Sequence, residues 1–589
     1  MALQTTTQIF ISGTPIQSYV SLKLGQAIDD HHTLQLICRA DVVEQFSEEL
    51  IGDSKEYLGG VIAVKISSVT DFGGYKELEF KGIVTKVMAT KGFHQSSGDL
   101  VTIEAKSASI LSDDGIHYAS FNDVSLSDIL DQTFQGYDKG KLETSFSPVS
   151  SNTIHYSVQH NQSAFSYASR LAAYYNEWFY YDGQKLVFGT PSNEETELQY
   201  GVDLQNFSVE LNTVSNSFDY FTNDYIADET HRKSSAEISI PSEGYHGFMD
   251  NKSKELFNKQ TQVFHNTYDD ASTKARLDTQ VDQYTKARAM QQVIAKGSSD
   301  NPGVNLGEII TVKGKGSYRI IKITHTNIEG GSYKNTFEAV DANFTAYPKM
   351  DINKYPISNV QTAIVKENND PDGMGRIKVQ FPWQKASGST TPWLRMMTPH
   401  AGSDKGFHFI PELEEQVIVS FDGGNAEKPF VMGALYNGSA QPSSWQSDSN
   451  NIKAIKTRAG HTIKLDDTQG AEMITITDKN QNIIQIDTVG ESILISAPEN
   501  ISIAAKNIDI SASESLTMAA SENMSVSAGE EYSLSSQNII QQAEEDISIE
   551  SRSIEANAER VRVDSTDENL ELASGKQVDV QSNEKVKLF

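Results

Sequence analysis

The 589 residues predict a mainly β protein in three regions, and three observations carry that prediction. The last hundred residues repeat a short apolar-polar-apolar triplet to the end of the chain. A middle stretch of about 80 residues alternates short strand-like runs with Gly- and Pro-rich turns. The first 350 or so mix period-2 segments with a few capped helices, as an α+β region does. A chain of this length exceeds one hydrophobic core. The expected division is residues 1–356, 357–440, a polar linker 441–456, and 457–589.

In the first region "VIAVKISSV" (61–69) and "ELEFKGIVTKVMAT" (77–90) place Val, Ile or Phe at every second position, the strand period. "SLSDILDQTFQGY" opens on a Ser/Asp cap, and Leu126, Ile129, Leu130 and Phe134 share a helical face. "NQSAFSYASRLAAYYNEWFYYDGQKLVFG" (161–189) predicts a helix with Phe165, Ala168, Leu171 and Ala172 on one side. A strand through Trp178, Phe179 and Tyr180 follows, and a "DGQ" turn leads into "KLVFG". The run from 258 to Gly297 reads as mostly helix.

The middle region contains "SNVQTAIVKENNDPDGMGRIKVQFPWQ" (358–384), "WLRMMTP" (393–399) and "EQVIVSFDGGNAEKPFVMGALYNG" (415–438). About five strands with little helix predict a small closed barrel of the oligonucleotide/oligosaccharide-binding (OB) type.

In the last region the first apolar residues of successive triplets run from Ile493 to Val586 at a mean spacing just under eight. Asn precedes several triplets, as a corner requires. The candidate inward residues are Ile493, Ile495, Ile501, Ile503, Ile508, Ile510, Leu516, Met518, Met524, Val526, Ile547, Ile549, Val561, Val563, Leu570, Leu572, Val578 and Val580. Three octads also fit one coil of a single-chain β-helix, so the period does not separate one chain from three. Two apolar residues per strand make a thin core, and from Ile493 onward only Gly529 and Gly575 are present for tight corners, which favours three chains round one axis. About thirteen octads at ~4.8 Å each make a rod of ~60 Å.

Composition narrows the function. The net charge of −30 argues against a nucleic-acid partner, because such binders collect cations to displace phosphate counterions. The single cysteine, Cys38, lies in a strand-like run and is expected to be a buried structural thiol. No basic leader with an apolar core opens the sequence, and the longest apolar runs are too short for a membrane helix. Assembly in the cytoplasm is expected.

Several phrases carry a resemblance. "NDPDGMGRIKVQFPW" (369–383), "WLRMMTPHAGSDKGFHFIPELEEQVIVSF" (393–421) and "KPFVMGALYNG" (428–438) resemble the VgrG family, the spike proteins of type VI secretion and related contractile injection systems. The motif positions are Asp370, Pro371, Asp372, Gly373, Gly375, Arg376, Phe381, Pro382, Trp383, Tyr436, Asn437 and Gly438. "TRAGHTIKLDDTQGAEMITI", "QAIDDHHTLQL" and "NQSAFSYASRLAAYYNEWFYYDG" resemble further parts of the family, in the same order.

The resemblance implies a homotrimer with a phage-tail-hub-like region, a barrel neck and a triple-stranded β-helix needle. It implies partners: a hexameric inner-tube protein (Hcp-like), baseplate proteins, a PAAR-type tip protein, effector cargo and transient contact with a target membrane. The chain would leave the cell by being fired, without a signal peptide. The gap between Gly438 and Thr457 is too short for an inserted lysozyme domain, and the sequence stops within the repeat, so toxicity is expected from cargo. Val586, Lys587, Leu588 and Phe589 are the candidate docking residues for the tip protein. The alternative reading is a fibrous adhesin or tail-fibre receptor-binding protein.

No catalytic, metal or cofactor site is expected. "DPDGMG" lacks the further oxygen ligands of a calcium loop and reads as a turn. "DDHH" (29–32) reads as a solvated or locally hydrogen-bonded cluster, and His400 and His408 belong to no metal pattern. Acids such as Glu530, Glu531, Glu544, Glu545 and Asp546 read as a solvated outer face.

Overall fold

The computed structural model describes residues 5–44, 49–68, 77–92, 98–330 and 332–588. The chain divides into two compact units, Met1–Lys453 and Ala454–Phe589.

The frame of the first unit is a thirteen-stranded sheet. From one edge, Thr5–Ile11 pairs with Val61–Ser68, which pairs with Leu78–Thr90; Leu100–Ser107 and Thr33–Arg39 follow, all antiparallel. Thr33–Arg39 pairs with Ser21–Ala27, which lies beside the distant strand Gly316–Ile328. The ladder then continues through Ser332–Asp341, Val293–Ser299 and Leu204–Leu211. Alternation drives these strands: Leu22, Leu24, Leu34 and Leu36 are buried, while Lys23 and Gln35 between them are exposed. Cys38 is fully buried in this sheet, and desolvation pushes its thiol up to about 12.

The helix Leu126–Thr133 begins at Ser125 with a reciprocal capping box to Asp128, and its buried residues are the predicted Leu126, Ile129 and Leu130. The helix Ala164–Tyr175 is capped by Ser163 and ends at Asn176 in the left-handed region (φ 61°). Trp178–Tyr181 then pairs with Lys185–Gly189, and Asp182 Oδ1 accepts from the amides of Gln184 and Lys185 across the turn.

The expectation of helix from 258 to Gly297 holds only for Thr273–Met290. Thr261–Phe264 and Val293–Ser299 are strands. β-branched Val293 and Ile294 favour the extended form, and Val293–Ser299 has strands on both sides. Gly297 ends no helix. It lies inside that strand, where a Cβ would collide with the Phe337 ring.

In the barrel, Lys378–Gln380, Gln361–Glu367, Gln416–Phe421 and Pro429–Leu435 form an antiparallel sheet in that order. The stretch around Leu394 closes it. Ile377 and Leu394 exchange amide–carbonyl bonds (3.0 and 2.8 Å) on one side. On the other side Met397 N donates to Val431 O and Val431 N to Arg395 O (2.7 and 2.9 Å). Val365, Ile377, Val379, Val417, Val419 and Val431 fill the interior.

The second unit contains an antiparallel meander, Ile452–Lys456, Thr462–Asp466, Met473–Thr477, Ile483–Asp487 and Ser492–Ser496. Its first strand starts just before the boundary between the units. Cross-strand pairs put Ile463, Leu465, Ile474, Ile476, Ile484, Ile486, Ile493 and Ile495 on one face. Among the described residues from 497 onward the chain has no regular strand pairing with itself. No described helix is long and apolar enough to cross a membrane.

Candidate functional site

Three features set the chemistry of this chain: the turn in the barrel, the junction between the barrel and the rest of the first unit, and the apolar rows of the second unit.

The "DPDGMG" stretch is a turn built on one carboxylate. Asp370 accepts from the amides of Asp372, Met374 and Arg376 (3.1, 3.0 and 3.1 Å). It also accepts from Arg376 Nε and Nη2 (2.9 and 2.7 Å), a two-pronged ion pair whose members are 3% and 6% exposed. Arg376 reaches Asp372 as well. These bonds hold the Asp370 carboxyl down to about 2. Gly373 and Gly375 have φ of 69° and 68°, the left-handed region where a side chain is strained. Pro371 precedes them, and Pro382 opens a single 3-10 turn, Pro382–Gln384. The rings of Phe381 and Trp383 stack at 5.3 Å and 8°. Tyr436 is exposed, and Asn437 Oδ1 accepts from the amides of Ser439 and Ala440 in a separate turn that includes Gly438. The motif residues thus serve several turns of the barrel.

Within the first unit, the barrel packs on the residues that precede it through contacts the sequence did not single out. Glu427 Oε1 accepts from Arg170 Nη1 (3.1 Å), from Val158 N (3.0 Å) and from Ser157 Oγ (3.0 Å). The Arg170 side chain is 3% exposed. Lys428 faces Asp269 at 3.4 Å, Asn425 Nδ2 donates to Asn266 O (2.8 Å), and Arg395 lies over the Tyr225 ring at 4.1 Å. Tyr156 and Val158 join the barrel core itself. "NAEKPF" and "YASRLAA" offered no signal, because each half of an ion pair looks like a surface charge until the fold brings the halves together.

The "DDHH" cluster is buried rather than solvated at its centre. His32 is fully buried, and the His31 ring packs at a tilt against Phe165, with centroids 4.0 Å apart. A hydrogen-bonded chain crosses the seam between the N-terminal strands and the 316–341 hairpin. Gln26 Nε2 meets His32 Nδ1 (3.0 Å), and Gln26 Oε1 meets His325 Nε2 (2.9 Å). His325 Nδ1 meets Tyr333 Oη (2.7 Å), which accepts from Asn335 Nδ2 (3.2 Å). Directions are consistent when both histidines are neutral, and burial lowers each to about 3. His400 and His408 lie exposed around a two-residue-stranded hairpin.

In the second unit Ile493 and Ile495 belong to the last strand of the meander. Ile501, Ile503, Ile508, Ile510, Leu516, Met518, Met524, Val526, Ile547, Ile549, Val561, Val563, Leu570, Leu572, Val578 and Val580 lie on extended chain. Within one chain all eighteen are half or more exposed, from 50% at Ile508 to 73% at Leu572. Val586 and Leu588 are also exposed. Phe589 lies outside the described residues.

Comparison with known proteins matches this architecture. Residues 43–329 match the family described as phage tail baseplate hub (GPD), and residues 361–436 the type VI secretion system/phage-baseplate injector OB domain. The spike protein VgrG1b of Pseudomonas aeruginosa is 28% identical over 187 residues, covering 28% of this chain and 25% of that protein. VgrG2a of the same organism is 31% identical over 105 residues, covering 16% and 12%. The chain therefore aligns with only a minor part of these relatives' length. A chain of the Francisella PdpA–VgrG complex shares the fold, with a TM-score of 0.52 at 10% identity over 84% of this chain and 80% of that one. A baseplate-hub match, an injector OB match and type VI spike relatives together support a spike of the VgrG family.

Proposed function

We propose that three copies of this chain assemble into a puncturing spike at the tip of a contractile injection tube. The observation that supports it most is the second unit's combination of exposed apolar rows and extended backbone. From 497 onward the described residues form no ladder within the chain, yet a pair of large apolar side chains recurs about every eight residues. Backbone amides and carbonyls need partners, and each half-exposed Ile or Leu gains about 1 kcal/mol on burial. A single-chain solenoid would pair its own successive coils; three chains pairing with one another satisfy the same backbone and pool the thin rows into one core. The Ile/Leu face of the 452–496 meander fits the same arrangement, with three faces turned to a common axis.

In this reading the first unit is the hub and neck, seated on the inner tube, and 457–589 is the needle. The needle is stiff through rung-by-rung pairing, and its outer face is acidic. Val586 to Phe589 would present apolar ends for a cone-shaped tip protein. The chain acts mechanically, and any toxic activity belongs to cargo carried by the spike. Secretion occurs by firing of the apparatus, as with its type VI relatives.

Light scattering on the purified full chain tests the assembly. A particle of about three times 65.0 kDa is expected. A stable monomer at micromolar concentration overturns the proposal. Deletion of residues 586–589 is expected to abolish retention of the tip protein while leaving the trimer intact.

A further inference from the structure

We propose that the cleft between the hub helices and the barrel turn is a seat for one basic side chain, arginine or lysine, carried on a peptide segment of another protein. The cleft has a volume of about 540 Å³, room for two or three side chains. Its walls come from the turn at 149–156, the end of the helix Ala164–Tyr175, the start of the helix Thr273–Met290, and barrel residues Asn425 and Glu427.

Its charges are unevenly matched. Arg276 is held by Asp270 (2.6 Å) and Glu427 by Arg170 (3.1 Å), so these pairs are internally neutral. Glu177 remains. It is 2% exposed, and among the described residues its two oxygens accept only from the amides of Val149 and Ser150 (3.1 and 2.8 Å), with no cation paired to it. Two backbone amides leave lone pairs on a buried carboxylate unused. Desolvation by burial raises its pKa, outweighing the lowering effect of the Ser150 and Val149 amides.

Three further polar atoms of residues lining the cleft have no hydrogen-bond partner among the described residues: Tyr156 Oη, on a residue 4% exposed, Gln280 Oε1 and Gln283 Oε1. Buried polar atoms of this kind cost free energy until a partner arrives, and the two glutamine oxygens can only accept. The tyrosine rings of Tyr174, Tyr175 and Tyr268 supply the remaining wall, and aromatic faces favour a cation over a neutral amide. A carboxylate, three unpartnered oxygens and tyrosine rings describe a guanidinium or ammonium group and disfavour an anion. Charge complementarity points to a separate basic protein as its source, since this chain carries a net charge of −30. The seat lies within the first unit and does not depend on the trimer.

The test uses the full-length chain and three peptides, acetyl-Gly-Arg-Gly-amide, acetyl-Gly-Lys-Gly-amide and acetyl-Gly-Gln-Gly-amide, titrated by calorimetry and by protein NMR. Saturable binding of the basic peptides is expected, at least about tenfold tighter than the glutamine peptide. Glu177→Gln is expected to remove that preference with the melting temperature monitored in parallel. Gln283→Glu, which adds a second carboxylate without disturbing Glu177, is expected to tighten the basic peptides severalfold. Equal binding of all three peptides overturns the proposal. So does absence of saturable binding, including the case in which a second copy of the chain already fills the cleft.

Discussion

Arg376 shows how one side chain holds the barrel's long turn in place. Its guanidinium and the Asp370 carboxylate are both buried, so removing Arg376 leaves the Asp370 carboxylate without its cation. Arg376→Ala is expected to destabilise the barrel by about 3 kcal/mol, read as a lowered denaturant midpoint of the first unit. Asp370 adds an acid limit. Its folded carboxyl is held at about 2 against about 4 when unfolded, so its contribution is complete above the unfolded value and is lost as pH falls from about 4 to 2. The buried histidines act in an earlier window. His32 and His325 are held down to about 3, against about 6.5 in the unfolded chain. A depressed pKa stabilises the fold above the unfolded value, so stability is expected to fall from about pH 6.5 downward, by up to about 1.4 kcal/mol per pH unit for each histidine. Melting temperatures at pH 7, 6, 5 and 4 check this. His325→Phe should melt lower at pH 7, because Gln26 and Tyr333 lose a partner, and should show a shallower pH slope. At this scale the sequence was legible where residues are close in the chain: Asp370 and Arg376 are six apart and framed by Pro and Gly. It was not legible for His32 and His325, whose link through Gln26 exists only after the two strands pair.

At the scale of elements, alternation and capping carry most of the fold. Ser125, Ser163 and the apolar spacing after them specify helices, because cap and face lie within a few residues of each other. The stretch 258–297 misled because helix-forming composition extends past the helix at both ends. Strand partners from 204–211, 218–224 and 332–341 claim its flanks. In the second unit the apolar rows make the prediction. Val526→Asp or Ile501→Asp places a carboxylate in the proposed shared core once per chain, three times per rung. Desolvating it is costly, so trimer content and melting temperature are both expected to fall, as read by size-exclusion chromatography with light scattering. Neither changing would count against the needle core. Ser525→Asp, on the polar position between Met524 and Val526, is the control and should leave assembly intact.

For the molecule as a whole, the junction of barrel and hub is the decisive contact within the first unit. Glu427 gathers Arg170, Val158 and Ser157 at one oxygen, so Glu427→Ala strands a buried guanidinium. A loss of about 3 kcal/mol is expected, with earlier proteolysis between residues 342 and 361 as barrel and hub sheet part. If the cleavage pattern and unfolding midpoint match the wild-type chain, the junction does not depend on this pair.

The sequence by itself determined the β-rich class, the capped helices, the Pro–Gly turn at 370–375, the barrel's strands and the octad rows, together with the family resemblance. All of these rest on periodicity and chemistry within a few residues. Only the tertiary structure decided that Gly316–Ile328 joins Ser21–Ala27 in one continuous sheet, and that Leu394 and Val431 close the barrel. It also decided that Arg170 meets Glu427 and that Glu177 faces a cleft without a counter-ion. Those contacts join residues far apart in the chain, and neither partner carries a local pattern that announces the other.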